Sequence, residues 1–160
     1  MVERSLRRVA LLAIHPEHAT AILEGRKTVE FRKRAMDHSI EQVLLYATSP
    51  AQKIVGAFRI ARIDQGSPTA IWIKHGGCGA IPRRLFRDYF SGSSTAVAIV
   101  VGSAIAFTTP LSLGALPSGP PAPQSFVYLS GDATSRVLPA RQHLPKPGTR
   151  SRRKRGRGPR

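Results

Sequence analysis

Apolar residues in this chain come in short runs, and the spacing inside each run sorts them into strands and helices. Residues 7–14 form a brief apolar stretch of strand length and read as a buried first strand. From residue 16 to 24 the pattern turns helical. Ala19, Ile22 and Leu23 give an apolar side, Pro16 suits the first turn, and Gly25 suits the left-handed position just past the end. Thr28-Val29-Glu30-Phe31-Arg32 then alternates with period two. That alternation predicts a strand with Val29 and Phe31 toward a core and Thr28, Glu30 and Arg32 on the other side. A basic, polar turn follows over residues 33–40.

Val43 to Ala47 is a second apolar run, stopped by Thr48-Ser49-Pro50, and residues 53–63 alternate again as a long strand. The two runs, joined by the tight Ser-Pro turn, predict an antiparallel hairpin. Gly56 inside it marks a bend or the close approach of a ligand or another backbone. Ser67 and Pro68 are an N-cap and a first helical position, and the short helix they open dissolves into a flexible His75–Gly79 loop. Residues 82–90 predict a second short helix with Leu85, Phe86, Tyr89 and Phe90 as its apolar side. Thr95 to Phe107, strongly apolar and β-branched, is the best candidate for a central strand. After a Pro-rich crossing, residues 124–129 are a last short structured element. About five strands with short flanking helices suggest a small α+β barrel.

Composition narrows what such a domain does. The 160 residues suit one domain with a modest core, and aromatic content of 6% leaves most packing to aliphatic side chains. One cysteine, Cys78, excludes a disulfide framework and any zinc knuckle built on paired cysteines. The apolar run after Arg4, Arg7 and Arg8 is too short for a signal peptide, and no stretch approaches the roughly 20 apolar residues of a membrane span. A soluble, cytoplasmic protein is expected. Net charge is +16, and the last fifteen residues carry eight Lys or Arg with no acid. We therefore divide the chain into a folded domain over residues 1–131 and a disordered basic Pro/Gly/Arg-rich tail over residues 132–160. The charge favours polyanionic partners, nucleic acid above all. The tail reads either as a sequence-independent nucleic-acid binder or as an inert charged terminus.

Several short motifs share a wider pattern. Leu12-x-Ile14-x-Pro16, Ile22-Leu23-x-Gly25-x-Lys27-Thr28-x-Glu30-x-Arg32, Tyr46-Ala-Thr-Ser-Pro50, Ile54-Val-Gly56, Tyr89-Phe90-x-Gly92 and the late Pro-x-Pro-Gln124-Ser125-Phe126 together resemble the ASCH domain family, a branch of the PUA-like superfamily. The resemblance spans roughly residues 9–130 and centres on Gly-x-Lys-x-x-Glu-x-Arg. It implies a small PUA-like β-barrel with flanking helices, a cleft lined by that core motif, and a role in RNA binding or in RNA or nucleoside chemistry.

The residues themselves fit a nucleic-acid cleft, each with a plainer alternative. Lys27 and Arg32 can meet a phosphate, the first as a point charge and the second as a two-pronged donor. Glu30 can accept from a base amino group or hold the two cations; a solvated strand face with a surface ion pair is the alternative. Thr48 and Ser49 offer hydroxyls and turn N–H groups to a phosphate or base edge, or simply close a hairpin. Tyr46 either stacks on a base or packs in the core. Thr28, Gln124, Ser125 and Phe126 complete the nucleic-acid-binding set. His15 and His18, three apart on a helix start, have no third ligand nearby and read as helix-surface residues, so no metal is expected and no cofactor either. Arg83, Arg84 and Arg87 read as a solvated helix face or an extension of a basic track.

Two classes of function follow. In the first, the protein is an RNA-binding module, with a regulatory role among its readings. In the second it is a small hydrolase, either a ribonuclease or an amidohydrolase of acylated cytidine, with Lys27 stabilising developing negative charge and Glu30 acting as general base. A superfamily relative that hydrolyses an acetylated cytidine places a nucleophilic threonine three residues after the lysine. Here that position is Glu30, and Thr28 lies only one residue on. The missing nucleophile favours binding over catalysis.

Overall fold

The computed structural model describes residues 8–117 and 119–130. The expected basic tail lies outside them. The elements run β1 (Val9–Ile14), α1 (Pro16–Leu23), β2 (Val29–Arg32), β3 (Gln42–Ala47), β4 (Lys53–Gly66), α2 (Pro68–His75), α3 (Arg83–Tyr89), β5 (Ala96–Leu111) and β6 (Phe126–Leu129). One mixed sheet holds all six strands in the order β2-β5-β4-β3-β1-β6, with β1 and β3 parallel and the other neighbours antiparallel. This is a curled α+β sheet of the PUA-like kind. About five strands were expected and there are six, the short element near the end pairing Phe126 with Leu12 and Leu129 with Val9.

Both faces of the sheet's middle are covered, so β1 is buried at every position and reads as an unbroken apolar run. Leu12, Leu45, Phe58 and Ile99 pack with Ile22 of α1 on one side, while Leu11, Leu44, Tyr46 and Ile54 pack on the other. A third cluster joins Val29 and Phe31 to Ile71, Phe86 and Phe90 beneath α2 and α3. Gly56 is where a second backbone comes close, as its place in the strand suggests. A Cβ there would lie 2.5 Å from the Ile105 carbonyl oxygen and 2.6 Å from Leu23 Cδ2.

Helix α2 begins as expected, with Ser67 Oγ accepting the Ala70 N–H at 3.2 Å. The segment after it departs from expectation: Gly76–Cys78 is a 3-10 turn, not a flexible loop. Two contacts fix it. His75 is buried with Nε2 2.7 Å from Asp64 Oδ2, and Gly76 lies against the Trp72 indole, where a Cβ would approach to 2.6 Å. Burial opposes ionisation of Asp64, but hydrogen bonds from His75, Arg62 and Lys74 bring its carboxyl down to about 2.

The ends of the sheet approach each other. Arg32 on edge strand β2 donates from Nη2 to the Ala13 carbonyl of β1 at 2.8 Å, and its Nη1 lies 3.4 Å from Ser125 Oγ beside β6. Those strands sit at opposite ends of the hydrogen-bonded order. One guanidinium therefore spans the mouth of the curl. Among the described residues, no helix is long and apolar enough to cross a membrane.

Candidate nucleic-acid site

The stop of α1 places the first functional side chain. Gly25 has φ +79°, and the Arg26 and Lys27 N–H groups both donate back to the Ala21 carbonyl, at 2.9 and 3.0 Å. That reversal tucks Lys27 under the helix. Its Nζ donates to the Gly79 carbonyl and lies 3.2 Å from Glu30 Oε2. The other carboxylate oxygen of Glu30, Oε1, accepts from Arg32 Nε at 3.1 Å and lies 3.0 Å from Nη2. The side chains of Lys27, Glu30 and Arg32 are only 2%, 10% and 12% exposed. Two cations thus share one carboxylate away from bulk water, and the trio keeps one unbalanced positive charge.

Gly79 supplies its carbonyl because it has no side chain. A Cβ there would sit 2.2 Å from Phe31 Cε2. The neighbouring Cys78 carbonyl accepts the Thr28 N–H at 3.0 Å. The turn read as a flexible loop in the sequence therefore anchors Lys27 and Thr28 at the start of β2.

Above the trio opens a cleft of about 440 Å³, within the range of small-ligand sites. Lys27, Glu30 and Arg32 line one side; Ile14, His15 and His18 come from the β1–α1 junction. Thr48, Gln124 and Pro123 close the sheet side, and Leu85 and Tyr89 of α3 form an apolar lip. Lys33 Nζ lies 4.9 Å from the Tyr89 ring centroid and extends the lip with positive charge. His18 titrates below its ordinary value, first because burial disfavours the charged ring and next because Lys27 repels it. At neutral pH the cleft therefore holds a neutral imidazole beside cations.

The structure gathers five of the ten sequence-selected binding residues here: Lys27, Glu30, Arg32, Thr48 and Gln124. Thr28 is exposed and lies outside the cleft lining, as does Ser49 in the β3–β4 turn. Tyr46 is packed in the second core cluster, and Phe126 is buried in the first with Arg34 4.4 Å above its ring. Ser125 reaches the site only through Arg32. The idea of Glu30 on a solvated face is corrected, since its side chain is almost buried between Lys27 and Arg32. Both of its carboxylate oxygens are engaged, Oε2 with Lys27 and Oε1 with Arg32.

Sequence reasoning missed His15, His18, Leu85 and Tyr89. The histidines were visible as an i, i+3 pair on one helix face. Leu85 and Tyr89 were read as core, but they are 48% and 43% exposed. Among the described residues, no group of three or more His, Cys, Asp or Glu is placed to hold a metal.

Residues 12–103 match the ASCH domain family. The chain belongs to that family. An ASCH domain-containing ribonuclease from Zymomonas mobilis is 33% identical over 96 residues, which make up 59% of this chain and 65% of that relative. The chain thus matches just under two thirds of the curated relative's length. The crystal structure of an ASCH protein from Zymomonas mobilis superposes with a TM-score of 0.76 at 29% identity, covering 82% of this chain and 94% of that one. A serine-to-alanine variant gives the same TM-score at 28% identity, covering 84% and 96%. The ASCH match takes in α1, β2 and the β3–β4 turn, so most of the cleft belongs to the shared domain; Pro123 and Gln124 lie beyond it.

Proposed function

We propose that this ASCH domain binds single-stranded RNA and seats one nucleotide in the Lys27–Glu30–Arg32 cleft. The observation that carries this reading is the trio itself, a largely buried group with one net positive charge at the floor of a nucleotide-sized opening. Glu30 fixes the positions of two cations that would otherwise repel, and the ordered guanidinium gives a phosphate or base edge a directional partner. Thr48 and Gln124 add neutral donors and acceptors, and Leu85 with Tyr89 offers an apolar face for a base.

The test is RNA affinity by fluorescence anisotropy at fixed salt. Lys27→Ala with Arg32→Ala is expected to weaken binding tenfold or more, since hydrogen bonds to charged groups contribute about 1.5–3 kcal/mol each. Because Lys27 is buried, Arg32→Gln alone is a companion variant that keeps Lys27 and Glu30 paired. Unchanged affinity in both folded variants would remove this reading.

A second reading, RNA cleavage, is favoured by the two histidines in the cleft and by the name of the ribonuclease relative. Neutral His18 is then the group that takes the 2′-OH proton, and Arg32 meets the charge that develops on the phosphorus oxygens. The 2′-oxygen-to-phosphorus bond forms as the 5′-oxygen bond breaks, and His15 in its protonated form returns a proton to the departing 5′-oxygen.

A further inference from the structure

Helix α3 separates two clefts, and the second has a different chemistry from the first. At 100° per residue, Leu85 and Tyr89 fall together on one flank, while Arg83, Phe86, Arg87 and Phe90 fall on the opposite flank. The first flank lines the cleft described above. The second lines a cleft of about 380 Å³ between α2 and α3, where Thr69 and Trp72 complete the wall.

The floor of this second cleft is aromatic. Trp72 and Phe86 have ring centroids 5.0 Å apart, and Phe86 and Phe90 lie 4.6 Å apart. Trp72 is half-buried, so part of its indole stays open to the cleft. Its rim is cationic: Arg83 and Arg87 are exposed, and among the described residues no ion pair engages either of them. Unpaired arginines over an aromatic floor suit a ligand that is planar, apolar on its faces and anionic at its edge.

We infer that the α2–α3 cleft is a second nucleotide subsite for the same RNA strand, which crosses over α3 from the first cleft. The inference rests on the RNA-binding reading of the first cleft. A nucleobase packs on Trp72, and Arg83 and Arg87 hold the adjoining phosphates. The ridge between the clefts is one helix, about 10–12 Å across with its side chains, a gap that a short single strand spans. Charge complementarity commits the occupant to nucleic acid.

Trp72 is the chain's single tryptophan, so its emission reports on this cleft alone. Hexa-adenylate is expected to quench Trp72 fluorescence on binding and to bind more tightly than AMP, which fills one cleft at a time. Arg83→Gln with Arg87→Gln should weaken hexa-adenylate about tenfold, reduce the Trp72 quench, and flatten the salt dependence by the slope of about two phosphate contacts. Arg26→Gln with Arg62→Gln removes two exposed cations that line neither cleft and serves as the control. Binding of hexa-adenylate without a change at Trp72 would overturn the inference. So would an equal loss in the control variant, or an equal quench by hexaglutamate. No RNA binding by the full chain would instead overturn the RNA reading itself.

Discussion

Glu30→Ala is expected to cost about 3–5 kcal/mol of unfolding free energy, the usual penalty for stranding one member of a buried ion pair. Lys27 is the most deeply buried charged side chain among the described residues, and its only other bonded partner is the Gly79 carbonyl. Removing the carboxylate leaves the ammonium out of water without a counter-charge and sets the Arg32 guanidinium against it. The loss reaches the sheet as well, since Arg32 spans the mouth of the curl from β2 to Ala13 and Ser125. Glu30→Gln should cost less, because the amide oxygen still accepts a hydrogen bond. Urea unfolding of the three proteins measures this. A change below about 1 kcal/mol for Glu30→Ala would mean that the trio behaves like an exposed surface pair.

If the protein cleaves RNA, His18→Ala should slow turnover by about 10²–10⁴-fold, the range for losing a general base, with RNA affinity much less affected. The pH profile gives a sharper signature. His18 acts as a base only when neutral, and its pKa lies below the ordinary 6.5 because burial and Lys27 disfavour the cation. The His18 limb of the profile should therefore fall as pH drops through that lowered value, while loss of the His15 proton governs the alkaline side. The acid limb belongs below pH 6.5 and should vanish in His18→Ala. An acid limb centred above pH 6.5, or one that survives the substitution, would assign the base role elsewhere. The same lowering makes the folded state lose stability as pH falls from 6.5 through the folded value, because the unfolded chain takes the proton first.

Local patterns carried most of the fold. The α1–β2 corner was legible because Gly25 breaks a helical period and a two-residue period begins after it. Ser67-Pro68 announced α2 in the same local way. What depended on distant partners was less legible. Phe126–Leu129 is a strand because β1 offers it an edge, which no feature of four residues conveys. Leu85 and Tyr89 look like core on a helical wheel, and only the placement of α3 beside β2 turns them into the lip of a cleft. Alternation put Glu30 opposite Phe31 correctly but could not say that Lys27, folded back past Gly25, joins Arg32 in enclosing its carboxylate. Tyr46 and Phe126, chosen as base contacts, are consumed by the two cores that the curl creates. The histidines were seen and set aside, because only the fold brings Lys27, nine residues beyond His18 in the chain, back beside that ring.

Seating RNA in the cleft means a place as well as an affinity, distinct from any contact that the basic tail makes. Residue-resolved NMR titration of the full chain with a short single-stranded RNA separates the two. The expected result is a cluster of shifted backbone amides at Ile14, His15, Lys27, Thr48, Gly79 and Gln124, around the cleft, that diminishes in Arg32→Gln. Shifts confined to residues 132–160, with those six amides unmoved at saturation, would contradict it.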